Sequence, residues 1–240
     1  MRNLAHIGEP VYQIHDILYY IYTMTMNFGT PREVEYPPSI LHARKNCTLE
    51  LSDRQRQILI GTILGDGYIS PRGQFQLEHS DKYEKYLFWK FGELENIAYG
   101  SPSKVERIDK RNGAKYKSYR FWLRQYFRPW REYFYQQTGK IFPPGLKLTP
   151  LALAVWYMDD GCYSDKRCTI ATDSFSDASR ITIQEVLKKQ FDLDIYSRSN
   201  GKVAIRAHSQ KLFFNLIKPY IHESMAYKLG LKLRQGSQIK

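Results

Sequence analysis

Leu59-Ile60-Gly61-Thr62-Ile63-Leu64-Gly65-Asp66-Gly67 and Leu153-Ala154-Val155-Trp156-Tyr157-Met158-Asp159-Asp160-Gly161 read almost alike. Each is a short apolar helix pattern that ends in Asp-Gly. Such a helix, made twice, predicts two helices packed side by side that bring Asp66 and Asp160 together. Gly61 and Gly65 stand at i and i+4 on one helix face, and small residues there let a partner helix approach closely. Two neighbouring carboxylates repel one another in the absence of a cation. Mg2+ prefers oxygen ligands, keeps waters and can bridge to a phosphate, and the negative ends of two helices favour it further. Asp159 has Gly65 at its matching place, so it is read as a supporting or capping acid rather than one of a symmetric pair.

The segments that follow the two motifs also correspond, which marks an internal duplication. After Asp66 come a turn over Tyr68–Gly73 and an alternating strand pattern over Gln74–His79. After Asp160 come a turn-like Cys162–Arg167 and a strand pattern over Cys168–Asp173. Helix patterns follow at Lys82–Tyr99 and Ser176–Gln190, with Ser176 a suitable N-cap. Each half then carries an Asn-Gly pair, Asn112-Gly113 and Asn200-Gly201, between two strand patterns. Asn-Gly is a strong hairpin signal because both residues tolerate positive φ. Aromatic helix patterns at Tyr126–Gln137 and Lys211–Ile221 close the halves, each followed by a lysine, Lys140 and Lys228. The expected division is 50–148 and 149–240, with residues 1–49 an accessory N-terminal extension.

Composition narrows the function. Among 240 residues, 36 Lys+Arg oppose 24 Asp+Glu, a net charge of +12 with pI ≈ 9.5. That excess is the footprint of a polyanionic partner. No stretch approaches the roughly 20 apolar residues of a membrane span. Cys47, Cys162 and Cys168 are odd in number and lack C-x-x-C spacing, which argues for a reducing compartment and against a disulfide framework or structural zinc.

These motifs resemble the LAGLIDADG homing endonucleases, in particular the single-chain, two-motif type carried by group I introns. The likeness covers about residues 50–235. It rests on Leu59–Gly67, Leu153–Gly161, the two hairpins, and the lysines in Thr138-Gly139-Lys140-Ile141 and Ala226-Tyr227-Lys228-Leu229. The resemblance implies an α+β fold of two pseudo-symmetric αββαββα halves. They would pack through the motif helices and hold an antiparallel β saddle over double-stranded DNA. It implies Mg2+-dependent hydrolysis of one phosphodiester in each strand of a long asymmetric target, by a monomer, for intron homing. Asp66 and Asp160 match the metal-binding acids. Lys140 and Lys228 match lysines that polarise the attacking water or stabilise developing charge. An intron-RNA-binding maturase and a catalytically inactive DNA-binding regulator are the alternatives on the same fold; the presence of both acids and both lysines disfavours them. The compartment is an organelle or a prokaryotic cytoplasm.

The hairpins are the expected reading heads. Residues 101–132 hold ten Lys/Arg against three acids. A two-stranded ribbon fits the major groove, where Arg and Lys read guanine and others hold phosphates. Lys104, Arg107 and Arg120 are candidates, and Lys115, Lys117 and Tyr119 alternate as one candidate face. In the second half the candidates are Ser197, Ser199, Lys202 and Arg206. The places of Glu78 and His79 are taken by Ala171 and Thr172 in the second half, so any part they take makes the two sites unequal.

Overall fold

The computed structural model describes residues 37–230, save 45, 46 and 138. Most of the extension expected at 1–49 therefore lies outside the described residues. Its last part does not. β1 (Ile40–Arg44) and β2 (Cys47–Glu50) form an antiparallel hairpin. Leu41 is fully buried, and the Pro37 and Pro38 carbonyls accept from Arg56 Nε at 2.7 Å and Trp130 Nε1 at 2.9 Å. This stretch is thus built into the first half.

The motif helices are α1 (Asp53–Leu64) and α4 (Pro150–Asp160). Ser52 caps α1 in a reciprocal box with Gln55, while Thr149 caps α4 ahead of Pro150 at the first turn. Ile58–Leu64 and Leu151–Met158 are buried on every side, as befits central helices rather than amphipathic surface ones. Their contact is glycine-dependent. A Cβ on Gly61 would lie 2.4 Å from the Ala152 carbonyl oxygen and 2.6 Å from Val155 Cβ. A Cβ on Gly65 would lie 2.5 Å from Asp159 Cβ.

Each motif helix feeds a four-stranded antiparallel sheet. The first has the order β3 (Tyr68–Ile69), β4 (Phe75–Ser80), β6 (Lys115–Trp122), β5 (Ser103–Ile108). The second has the order β9 (Gly161–Ser164), β10 (Arg167–Ala171), β12 (Lys202–Ile205), β11 (Ile195–Ser197). The same succession of a helix, two strands, a helix, two strands and a helix therefore occurs twice. The intervening helices are α2 (Glu84–Leu94) and α5 (Asp177–Phe191), and the closing ones α3 (Arg128–Phe134) and α6 (Ala207–Ile217). The fold is the expected α+β.

Both Asn-Gly hairpins form, with Gly113 at φ 71° and Gly201 at φ 75°. Some local expectations fail. Tyr68–Ile69, read as the start of a turn, is strand β3 paired with β4. Cys162–Ser164, read as turn, lies in strand β9, because the reversal is carried by Asp165 and Lys166 at φ 50° and 60° without any glycine. The helix read through Gln137 stops at Phe134, and Tyr135–Gln136 (β7) pairs with Gly139–Lys140 (β8) as a short hairpin.

Candidate active site and nucleic-acid interface

Asp66 lies two residues past the end of α1, Asp160 is the last residue of α4, and the charge of Asp66 acts on Asp160. Burial and then the charges of Asp66 and Asp159 push the Asp160 carboxyl up to about 7, against the pull of Lys140 and Lys228. Asp66 moves the other way. Burial works to raise it, but the His79 hydrogen bond and the neighbouring positive charges, Lys90 and Lys228 among them, win and hold it below its ordinary value. One acid of the pair is thus stabilised as an anion and the other is not.

The two lysines occupy equivalent places. Lys140, on β8, donates to the Gly65 carbonyl at 2.7 Å and the Gly67 carbonyl at 3.3 Å. Lys228, in the 3-10 turn Glu223–Leu229, donates to the Met158 carbonyl at 2.5 Å and the Asp159 carbonyl at 3.0 Å. Each ammonium therefore grips the carbonyl of the residue just before its acid, neutralising the negative end of the helix. Burial lowers the pKa of both lysines, and the neighbouring aspartates oppose the shift. In this geometry both ammonium groups are held on backbone carbonyls next to the acids.

The asymmetry is concentrated at Asp159. Its side chain is fully buried, and Lys90 donates to its two oxygens at 2.8 and 2.9 Å while the Tyr86 hydroxyl donates at 2.9 Å. Lys90, itself fully buried on α2, also meets His79 Nε2 at 3.2 Å. An ammonium can only donate, so Nε2 is the acceptor and the ring proton sits on Nδ1. That Nδ1 lies 3.3 Å from Asp66 Oδ2. A chain of contacts therefore runs from the second motif through Lys90 and His79 to the first acid.

Ligand atoms of Asp66, His79 and Asp159 lie within 4.8 Å of one another. As a metal site this trio fits poorly, since the Lys90 ammonium already sits against both oxygens of Asp159 and against His79 Nε2. The Asp66–Asp160 pair fits a hard divalent cation better. Its donors are carboxylate oxygens, and a cation would offset both the burial and the neighbouring negative charges that raise Asp160.

Sequence reasoning left Lys90 out, although a signal existed. Asp159 is an acid in an all-apolar helix with only glycine opposite, and so requires a buried cation. Lys90 follows Tyr86 by one helical turn in an otherwise aromatic segment.

On the first sheet, α2 covers one face. Phe88 and Phe91 set their rings against Tyr119 and Phe121 at 5.7 and 5.4 Å. Lys115, Lys117 and Tyr119 do share one face, and Lys104 lies on it too, but it is this helix-side face, where Lys104 and Lys117 flank Glu106 at 4.0 and 3.9 Å. A period of two separates faces but does not say which one a helix will cover. The opposite face carries Arg107 and Arg120, with Gln76, Glu78 and Ser118 beside them. On the second sheet, Ser197 accepts from Gln184 of α5 at 3.0 Å and is therefore on the helix side. Lys202 is on the other face with Tyr196, Ser199 is exposed in the turn, and Arg206 lays its guanidinium over the Tyr196 ring at 5.1 Å. Among the described residues no helix is long and apolar enough to cross a membrane.

Comparison with known proteins gives this geometry a lineage. Protein RecA of Mycobacterium shimoidei is 30% identical over 223 residues, which cover 79% of this chain and 49% of that protein. The chain spans about half the length of the RecA relatives it matches. DNA endonuclease I-ChuI of Chlamydomonas applanata is 27% identical over 213 residues, covering 76% of this chain and 97% of the relative. The homing endonuclease I-WcaI, solved bound to its DNA recognition sequence, superposes with a TM-score of 0.68 at 28% identity. That match covers 76% of this chain and 88% of the other. A family model described as the LAGLIDADG DNA endonuclease family matches residues 56–213, a span that takes in Asp66, Asp160 and both four-stranded sheets, and the chain belongs to that family.

Proposed function

We propose that this chain is a site-specific DNA endonuclease that makes a double-strand break at a long, asymmetric target in the course of intron homing. The observation that carries the reading is the duplicated helix end. Two tightly packed helices each present an acid, and each has a lysine fixed on the preceding carbonyl. The two motif-bearing halves, 50–148 and 149–240, face unlike half-sites, so one chain acts as a monomer where a symmetric dimer would need a palindrome.

Asp66 and Asp160 would hold Mg2+, in two or more ions. Bound there, the metal supplies Lewis acidity toward the phosphate and lowers the pKa of water. The protein's own part is to hold these acids at a fixed spacing, through the glycine-lined helix contact and the two lysine clamps. Lys140 and Lys228 also place positive charge where negative charge develops during hydrolysis. The helix-free faces of the two sheets, with Arg107 and Arg120 on one and Lys202 and Arg206 on or beside the other, would lie along the duplex.

The test uses the full chain, Mg2+ and a plasmid that carries the joined exons flanking the intron. Linearisation is expected from the wild type, and none from Asp66→Asn or Asp160→Asn despite retained binding of the same duplex. Cleavage at the wild-type rate by the double Asn variant would remove both acids from the mechanism.

A further inference from the structure

We propose that Glu78 is a specificity-determining residue that holds Arg107 in the orientation for reading a guanine edge. This rests on the sheet face meeting duplex DNA, as proposed above. Glu78 stands on the helix-free face of β4, an acid in the middle of a basic surface. Its carboxylate has about four acceptor positions, and four donors fill them. Oε1 accepts from Arg107 Nη1 and, at 2.7 Å, from the Ser118 hydroxyl. Oε2 accepts from Arg107 Nη2 at 2.9 Å and from Gln76 Nε2 at 3.0 Å. Arg120 Nη1 adds its charge at 3.7 Å. Glu78 therefore has no capacity left for a base.

What Glu78 does instead follows from the geometry of the fork. Arg107 pairs end-on, through both Nη atoms, and its side chain is 54% exposed. That leaves its side edge, Nε–H and an outer Nη–H, directed away from the acid. Two parallel donors at that spacing match the O6 and N7 acceptors of guanine in the major groove. An unbraced arginine can swing to the nearest phosphate, which carries no sequence information. Braced by Glu78, which is itself fixed by Ser118 and Gln76, Arg107 stays over the base edges.

The probe is a duplex DNA library with a randomised segment, selected for binding to the full chain and then scored position by position. The wild type is expected to show a guanine preference at one position of the first half-site. Glu78→Gln keeps the volume but loses the charge. It is expected to lower that preference by roughly tenfold or more, the scale of one bidentate contact, while non-specific affinity rises because a negative charge has left the surface. Arg107→Lys keeps the charge but not the fork, and is expected to lose preference at the same position with an unchanged salt dependence. A variant that had merely lost structure would weaken binding to every sequence. Unchanged preference in Glu78→Gln, or loss at different positions in the two variants, would overturn the proposal. Failure of the wild-type chain to enrich any sequence would overturn it together with the DNA-binding reading.

Discussion

Replacing Lys90 with Met is expected to destabilise the protein by about 3–5 kcal/mol, because it strands the Asp159 carboxylate in the interior without a cation. The double variant Lys90→Met/Asp159→Asn should recover part of that loss in urea unfolding, since it removes the orphaned charge as well. Asp160 gives the opposite sign. Its carboxyl is held up to about 7 in the fold, against an ordinary 3.8. Without metal, the folded state therefore keeps a proton that the unfolded chain releases. Metal-free stability should fall as pH rises from about 4 toward 7 and level off above that. Asp160→Asn should remove this slope and raise metal-free stability at neutral pH by roughly 2–4 kcal/mol, while ending cleavage. Thermal melts in a chelator across that pH range would check it, and a wild-type melting temperature that climbs from pH 4 to pH 7 would contradict it. Removing His79 acts elsewhere. His79→Ala should slow the cut that depends on Asp66 more than the other, so a nicked plasmid accumulates; equal slowing of both strands would count against the contact chain.

At the scale of elements, the packing of α1 on α4 leaves no room for a methyl at Gly61. Gly61→Ala should cost about 1–3 kcal/mol as the helices separate. Cleavage should suffer more than DNA binding, because the separation moves the acids and leaves the sheets in place. Measuring both on the same protein checks this. The helix pair was readable in advance because two apolar runs ending in Asp-Gly have few other packings. The hairpins were readable because Asn-Gly fixes the turn. Four things were not. The strand β9 was hidden because the turn read over Cys162–Arg167 is confined to Asp165 and Lys166, with no glycine to mark its tip, which leaves Gly161–Ser164 extended. The β7–β8 hairpin hides in an aromatic segment with helical spacing, and only the pairing of Tyr135 with Lys140 separates the two. The side of the first sheet that Lys115, Lys117 and Tyr119 occupy depends on where α2 lands, which is a tertiary fact. Lys90 was overlooked because a lysine on a helix is ordinarily a solvent residue, and its partner lies in the other half of the sequence.

For the molecule as a whole, charge and burial give separate predictions. Specific binding should weaken steeply with salt, each phosphate contact adding about −0.9 to the log–log slope. Alanine at Arg107 and Arg120 should lower sequence discrimination more than alanine at Lys115 and Lys117. Deleting residues 1–45 removes Leu41 and the acceptors of Arg56 and Trp130, and should cost at least about 3 kcal/mol. A truncated protein as stable as the full chain would show that the hairpin is dispensable. The Gly65–Asp159 contact carries one more consequence, about ancestry. Two copies of the second half would set Asp159 against Asp159, where even a bare Cβ would come to 2.5 Å. Two copies of the first half would set glycine against glycine and leave each Lys90 enclosed without its carboxylate. Neither half can now partner itself. With the acid and its lysine on opposite sides of the internal repeat, a symmetric dimer of either half would require both positions to change together.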